Sequence, residues 1–312
     1  MINRTMVRTR VVQTLFAYYD NAGETPSTAR KELLHSFADT YSLYMMLLEF
    51  VNALTCYAQE QLEESAARAK VTHREFIPNR RFVENKVARQ VFENLNLRHF
   101  IDEQHLVWDA GMNAVQSVYK QLLAAPFYRE YMKLPQANYE DDKRVWRKIF
   151  SDIIPQNEEM YSAMEEMEVV LDKNHWSTDL EVVSSYVLKT IKRFREDSDA
   201  NHPLLPMFEK EEEVKFGEDL LRYAIEHKEE YAEQVKNHLQ HWDAERLAYM
   251  DRIILQTALA EILNFPEIAL EVSMNEYLEI AKEYSGEKSH IFINGVLDEI
   301  LKSMRQDNQI IK

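Results

Sequence analysis

Hydrophobic residues recur at helical spacing along most of the chain. Near the carboxy terminus, Phe292, Ile293, Val296, Leu297 and Ile300 occupy the i, i+1, i+4, i+5 and i+8 positions of one helix face. Alternating patterns typical of β-strands are scarce. The pattern predicts an all-α protein.

Two helices with clear start and stop signals are predicted before residue 302. Ser273 and Glu276 have the spacing of a capping box, which predicts a helix start. Gly286 predicts its end, because glycine tolerates the left-handed closing conformation, and Ser289 caps the next helix. Gly295 interrupts that helix. Since an internal glycine costs about 1 kcal/mol relative to alanine, it suggests that a backbone or a ligand comes close there.

A first helix is predicted from about Arg4 to Asp20, with a stripe of apolar side chains. The stripe consists of Val7, Val11, Val12, Leu15, Phe16 and Tyr19. The segment also contains Arg4, Arg8 and Arg10 and has no acidic residue before Asp20. Because the chain carries a formal charge of −16, indiscriminate nucleic-acid binding is disfavoured. Any RNA site must therefore be local, and this segment is a candidate.

The middle of the chain is also helical by pattern. Residues 27–70 predict one very long helix or a helical pair. Residues 198–206 are polar with two prolines and are the best candidate linker. The order of residues in 141–197 is similar to the order after residue 206, which leaves open a diverged repeat within 141–197 or a similarity of composition between amphipathic helices.

Composition narrows the class of protein. Hydrophobic residues make up 46% of the 312, and no run approaches the length of a membrane span. Cys56 is the single cysteine, which excludes an intramolecular disulfide, and no signal peptide is recognisable. We therefore expect a cytoplasmic protein with no membrane partner.

Catalytic and metal-binding patterns are weak. The five glycines form no phosphate-binding loop, and no nucleophile, base and orienting group can be assembled. His238 and His241, with Asp243 and Glu245 nearby, offer one-turn metal-ligand spacing, but polar residues at a helix end are the simpler interpretation. We expect no cofactor, no metal and no enzymatic activity.

Two segments resemble the NusB family of transcription antitermination factors. Met274-Asn275-Glu276, Ala281-Lys282, Ser289-His290-Ile291-Phe292 and Asn294-Gly295-Val296-Leu297-Asp298 resemble the carboxy-terminal motif of that family. Residues 7–16 resemble its opening helix, although Thr5 and Met6 stand where further arginines are common. The resemblance covers residues 1–20 and about 215–302.

The resemblance implies a domain organisation. It predicts an all-α, NusB-like helical bundle with a large additional helical insertion. Residues 1–26 would supply the first helix of the bundle and residues 206–312 its main part. Residues 27–205 would form the insertion.

The resemblance also implies a function in binding. It predicts an RNA-binding transcription antitermination factor acting on ribosomal RNA operons through single-stranded boxA-type leader RNA. The small ribosomal protein NusE would be its partner and the RNA polymerase elongation complex an indirect one. The alternative is a protein-only helical scaffold that has lost RNA binding, which the low arginine density of the first helix favours.

Site residues follow from the same resemblance. The RNA-binding set is Arg4, Arg8, Arg10, Lys288, His290 and Phe292, and the partner-binding set is Phe16 and Asp251. Simpler roles are an ordinary surface position for Arg8, a core position for Phe292 and a helix-start role for Asp251.

Overall fold

A computed structural model describes residues 1–21, 23–239 and 247–306. The prediction of an all-α protein is confirmed, and regular structure in these ranges consists of fourteen α-helices. The helices are α1 (Arg4–Asp20), α2 (Pro26–Val71), α3 (Lys86–Glu93), α4 (Leu95–Gln104), α5 (Met112–Ala124), α6 (Pro126–Lys133), α7 (Tyr139–Lys148), α8 (Glu158–Leu171), α9 (Trp176–Arg193), α10 (Glu212–Glu226), α11 (Lys228–Asn237), α12 (Tyr249–Asn264), α13 (Leu270–Tyr284) and α14 (Ser289–Gln306). Short 3-10 turns lie at Asp109–Gly111 and Ile154–Gln156, and a π turn at Ile149–Ile153.

The chain divides into two compact units. The bundle unit consists of Met1–Phe37 and Met207–Lys312, and the central unit of Ala38–Pro206. The long pattern after residue 26 forms the single helix α2, whose first turns belong to the bundle unit and whose remainder belongs to the central unit. The division into an insertion at residues 27–205 and a bundle that can fold without it stays a prediction.

Helix α12 is the centre of the bundle unit. It packs against α1, α10, α11, α13 and α14, and every residue from Ile253 to Ile262 is buried. Its polar side chains are therefore paired internally, as buried polar groups require. Thr257 donates to the Ile253 carbonyl at 2.7 Å, and Gln256 donates to the Ala224 carbonyl at 2.6 Å.

Close approach of α1 to α10 depends on Gly217. A Cβ at this position would lie 2.9 Å from a methyl group of Val7 and 3.4 Å from the Phe37 ring. The amino terminus is tied to the same region, because the Ile2 N–H donates to the Met207 carbonyl at 2.8 Å. The two ends of the chain thus share one core.

The central unit is built around the buried middle of α2. Tyr44 on α2 lies 2.6 Å from the Thr190 hydroxyl on α9 and accepts a hydrogen bond from the Leu205 N–H at 3.1 Å. Trp176 at the start of α9 donates to the Asp39 carbonyl at 2.9 Å. The proline-containing segment 198–206 is therefore anchored at Leu205.

Two further structural findings limit the kinds of site. In the described ranges no helix is long and apolar enough to cross a bilayer. Within the same ranges no group of three or more His, Cys, Asp or Glu side chains is placed to hold a metal ion. His241, Asp243 and Glu245 lie outside the described residues.

Candidate nucleic-acid interface

Arg8 lies in the centre of a buried ionic network. It is 2% exposed and donates from Nε and Nη2 to the two carboxylate oxygens of Glu261 at 2.7 and 2.8 Å. Glu261 also accepts from Ser273 at 2.6 Å and from Tyr277 at 2.9 Å, and Glu276 lies 3.5 Å from Arg8 Nη1. The network therefore fixes α1 against α12 and α13.

Charges in this network are strongly coupled. Burial alone would lower the pKa of Arg8, but its hydrogen bonds to Glu261 and the charge of that carboxylate raise it overall. Burial and the negative charge of Glu261 hold the pKa of Tyr277 well above its usual value. Arg8 therefore stays charged and Tyr277 stays protonated at neutral pH.

This network corrects two sequence expectations. Arg8 was expected at an RNA-facing surface, but it lies in the buried stripe of α1, and its guanidinium donates two hydrogen bonds to Glu261. The capping box predicted at Ser273 and Glu276 is also wrong, because α13 starts at Leu270 and both side chains point to the Arg8 network. In both cases the side chain binds a partner from another helix and does not take the role that its own segment predicted.

Arg10 is buried as well. Its exposure is 1%, and Nη1 donates to Gln13 at 2.7 Å. A buried guanidinium cannot contact a phosphate in this conformation, so the expectation for Arg10 also changes from a surface role to a packing role.

Arg4 is the arginine of α1 that reaches the surface. It is half-buried, and its guanidinium carbon lies 4.9 Å from the centre of the Phe216 ring, a cation–π distance. Asn3 caps the helix by accepting from the Met6 N–H at 3.0 Å, and the first turn contains no acidic residue. A cation at the positive end of a helix dipole lowers helix stability, so the helix dipole does not account for Arg4.

Asp251 holds the loop between α13 and α14. It is 5% exposed and accepts from Ser285 at 2.5 Å and from Ser289 at 3.1 Å, and Ser289 in turn accepts from the Gly286 N–H at 3.1 Å. The expected surface contact at Asp251 is therefore corrected to a loop-positioning role. The end of α13 lies at Tyr284 and is closed by extended backbone, without a left-handed glycine.

The remaining predicted residues lie in the first turn of α14 and just before it. Lys288 is exposed, whereas His290 and Phe292 are half-buried, so Phe292 is not wholly a core residue. Ile291 is 65% exposed beside them. Gly295 is exposed, and a Cβ built on it meets nothing within 4 Å. No described part of the chain therefore requires a glycine at this position.

Phe16 forms an exposed aromatic pair that the sequence indicated only in part. Phe16 is 37% and Tyr249 41% exposed, and their ring centres lie 5.3 Å apart in an edge-to-face arrangement. Tyr249 was not predicted, because its place beside α1 depends on the packing of α12. The pair presents an accessible aromatic surface at the second half of α1.

Comparisons with known proteins place the chain in a family. The NusB family profile matches residues 180–302. The transcription antitermination protein NusB of Salinibacter ruber is 35% identical over 132 residues, covering 40% of this chain and 82% of that protein. The chain belongs to the NusB family. The NusB protein of Bacillus subtilis is 34% identical over 110 residues, covering 35% of this chain and 84% of that protein.

The NusB family profile covers only part of the chain. It starts at Leu180 inside α9 of the central unit and does not include α1, so the resemblance of residues 7–16 to the NusB opening helix stays a prediction. The chain is longer than these NusB relatives. No solved structure matches the chain significantly.

Proposed function

We propose that this protein is a transcription antitermination factor that binds single-stranded boxA-type RNA of ribosomal RNA operons together with the small ribosomal protein NusE. It would act on the RNA polymerase elongation complex through these two partners. Membership of the NusB family supports this proposal. The observation that carries it is the start of α14, where a loop fixed by Asp251 exposes Lys288 and part of Phe292 within the matched residues.

The RNA would contact Lys288, His290 and Phe292 at one place and Arg4 at another. Ser289 bonds to Asp251 at the start of α12, whereas Arg4 lies over Phe216, whose ring packs against Phe265 at the end of α12. Single-stranded RNA is bound by basic side chains along its phosphates and by aromatic rings that stack on its bases, each stacked base contributing about 1–3 kcal/mol. Arg4 and Lys288 supply the charges and Phe292 the ring. With Arg8 and Arg10 buried, few phosphate contacts are available, so binding should be weak for the protein alone and tighter with NusE.

The protein partner would contact the Phe16–Tyr249 pair. Aromatic side chains are enriched in the buried centres of interfaces, and the acidic balance of this chain suits a basic partner. Asp251 would contribute indirectly, by fixing the loop before α14. Phe16→Ala should therefore weaken NusE binding while leaving the binding of RNA alone unchanged.

A salt-dependent titration tests the RNA surface. Fluorescent boxA-like RNA and a scrambled RNA are titrated with wild type, Lys288→Glu and Lys302→Glu, with and without NusE. Lys302 is a matched control because it is exposed on α14, the helix that Lys288 precedes, and its substitution changes the net charge equally. Each lost phosphate contact should reduce the slope of log K against log salt by about 0.7.

The two function hypotheses predict different results. Lys288→Glu should weaken boxA binding about fivefold or more at 0.1 M salt, and Lys302→Glu should not. If the wild-type protein with NusE binds boxA-like RNA no better than scrambled RNA, the protein-only scaffold is the correct function.

A further inference from the structure

The central unit carries a concentrated basic surface in an acidic setting. It contains 27 acidic and 20 basic residues. Four of the basic residues lie in 143–148 and four in 189–195. In the first stretch three of the four pair with flanking acids, Lys143 with Glu140, Arg144 with Asp141 and Lys148 with Asp152, so the unpaired charges are concentrated in the second stretch. Since α7 packs against α9, the two stretches meet at one side of the unit.

A hydrogen bond defines how the two stretches meet. Lys143 on α7 donates from Nζ to the Lys192 carbonyl at 3.2 Å, which places the first half of α7 beside the carboxyl end of α9. A groove of about 720 Å³ lies there. Its lining residues, which we call the basic groove, are Asn138, Tyr139, Glu140, Lys143 and the segment Lys192–Glu196.

The cations of the basic groove are largely uncompensated. Lys192, Arg193 and Arg195 are exposed, and their side chains make no hydrogen bond or ion pair with a described residue. The two acids of the groove are already engaged, Glu196 by Lys86 and Glu140 by Lys143 at 3.4 Å. An anionic ligand would therefore find free donors.

Helix-dipole compensation does not explain all of these charges. It accounts for Lys192 and Arg193 in the last turn of α9, but Arg195 lies beyond the end of that helix. An anionic ligand would account for Arg195 as well as for Lys192 and Arg193.

We propose that the basic groove binds the phosphate backbone of single-stranded RNA, as a second RNA surface on the central unit. Arginine forms bidentate hydrogen bonds to phosphate, and an open groove suits a chain better than a small ion. Tyr139 and Phe194 in the groove are buried, so no aromatic face is available for base stacking. Binding here is therefore independent of sequence and needs neither boxA RNA nor NusE, which takes it beyond the proposed function.

The test uses the full chain and a fluorescein-labelled oligouridylate in anisotropy titrations at several salt concentrations. The variant is Arg193→Glu/Arg195→Glu. The matched control is Lys120→Glu/Lys133→Glu, which changes two exposed lysines of the same unit and gives the same net charge. Two lost phosphate contacts should reduce the salt slope by about 1.4 and the affinity at 0.1 M salt about 25-fold, while the control stays near wild type.

Equal losses in the groove variant and the control would show a general charge effect and overturn the proposal. Tighter binding of polyglutamate than of oligouridylate would assign the groove to acidic protein segments and also overturn it. Melting curves check folding, and Arg193→Gln/Arg195→Gln replaces the variant if charge reversal destabilises the unit. This variant should show the same direction of effect.

The two RNA proposals fail separately. Loss of oligouridylate binding in the groove variant, with the ratio of boxA to scrambled affinity unchanged, supports the basic groove. If the groove variant binds oligouridylate like wild type, while wild type prefers boxA-like to scrambled RNA and Lys288→Glu weakens boxA binding, only the groove proposal fails. If wild type shows no boxA discrimination but the groove variant loses oligouridylate binding, only the proposed function fails.

Discussion

Removal of the Arg8 charge should destabilise the bundle unit through the partner it leaves behind. In Arg8→Met the apolar stem is retained and the guanidinium is lost. Glu261, whose side chain is 0% exposed, then keeps only the hydroxyl donors of Ser273 and Tyr277. Loss of one partner of a buried ion pair costs about 3–5 kcal/mol, because the other charge stays in a low-dielectric interior.

A second substitution should restore part of that loss. Glu261→Gln in the Arg8→Met background removes the uncompensated charge, and its amide oxygen accepts from one of the two hydroxyls of Ser273 and Tyr277 while its amide nitrogen donates to the other. We expect the double variant to be more stable than Arg8→Met alone by roughly 1–3 kcal/mol. Glu261→Gln alone should also destabilise, since Arg8 then retains only Glu276 at 3.5 Å as a charged partner.

The assay must report on the bundle unit separately. A chain with two units does not guarantee two-state unfolding, so native-state hydrogen exchange of α1 and α12 peptides is measured in increasing urea, with α8 peptides of the central unit as the internal control. If the double variant is as unstable as the sum of the two single variants, the two side chains are not coupled and the reasoning fails.

Four further outcomes are expected. Asp251→Asn should lower unfolding free energy by about 1.5–3 kcal/mol and slow-exchanging amides at the start of α14 should be lost, because two serine donors lose their charged acceptor. A chain joining Phe37 to Met207 by a flexible linker should unfold cooperatively by circular dichroism, since the rings of Phe37 and Phe208 already lie 5.2 Å apart. A non-cooperative transition would mean that the central unit is part of the core of the bundle unit. Gly295→Ala should raise the melting temperature through about 1 kcal/mol of helix propensity, and a lower value would mean that the added methyl clashes. Burial raises the pKa of Tyr19 to about 12, so stability should fall from pH 10 to 12 as the unfolded state deprotonates first, and Tyr19→Phe should reduce that fall in pH-dependent urea unfolding.

Helix positions were largely predictable from the chain because they depend on neighbours three or four residues apart. The stripe of α1 placed its bounds at Arg4 and Asp20, and the continuous apolar pattern after residue 26 forms one helix to Val71. Gly23 between these helices and Pro26 at the first position of α2 have local conformational effects that the sequence carries directly. The all-α class follows from such local signals.

The candidate site was predictable only where a residue keeps a local role. Lys288 is exposed and Phe292 half-buried at the start of α14, as a helix-start motif allows. Tyr249 was missed because its pairing with Phe16 joins residues far apart in the chain. No sequence spacing encodes that contact.

What the sequence by itself determined is the set of helices and the residue types that recur in the family. Only the tertiary structure decided which polar residues are buried and paired inside the bundle unit. Arg8 and Glu261 are 253 positions apart, yet each is the main partner of the other. Asp251 likewise faces Ser285 and Ser289 because α12 packs under the loop before α14. A buried charge must find a counter-charge and donors, and the packing of helices, which short-range patterns do not specify, determines where those partners lie.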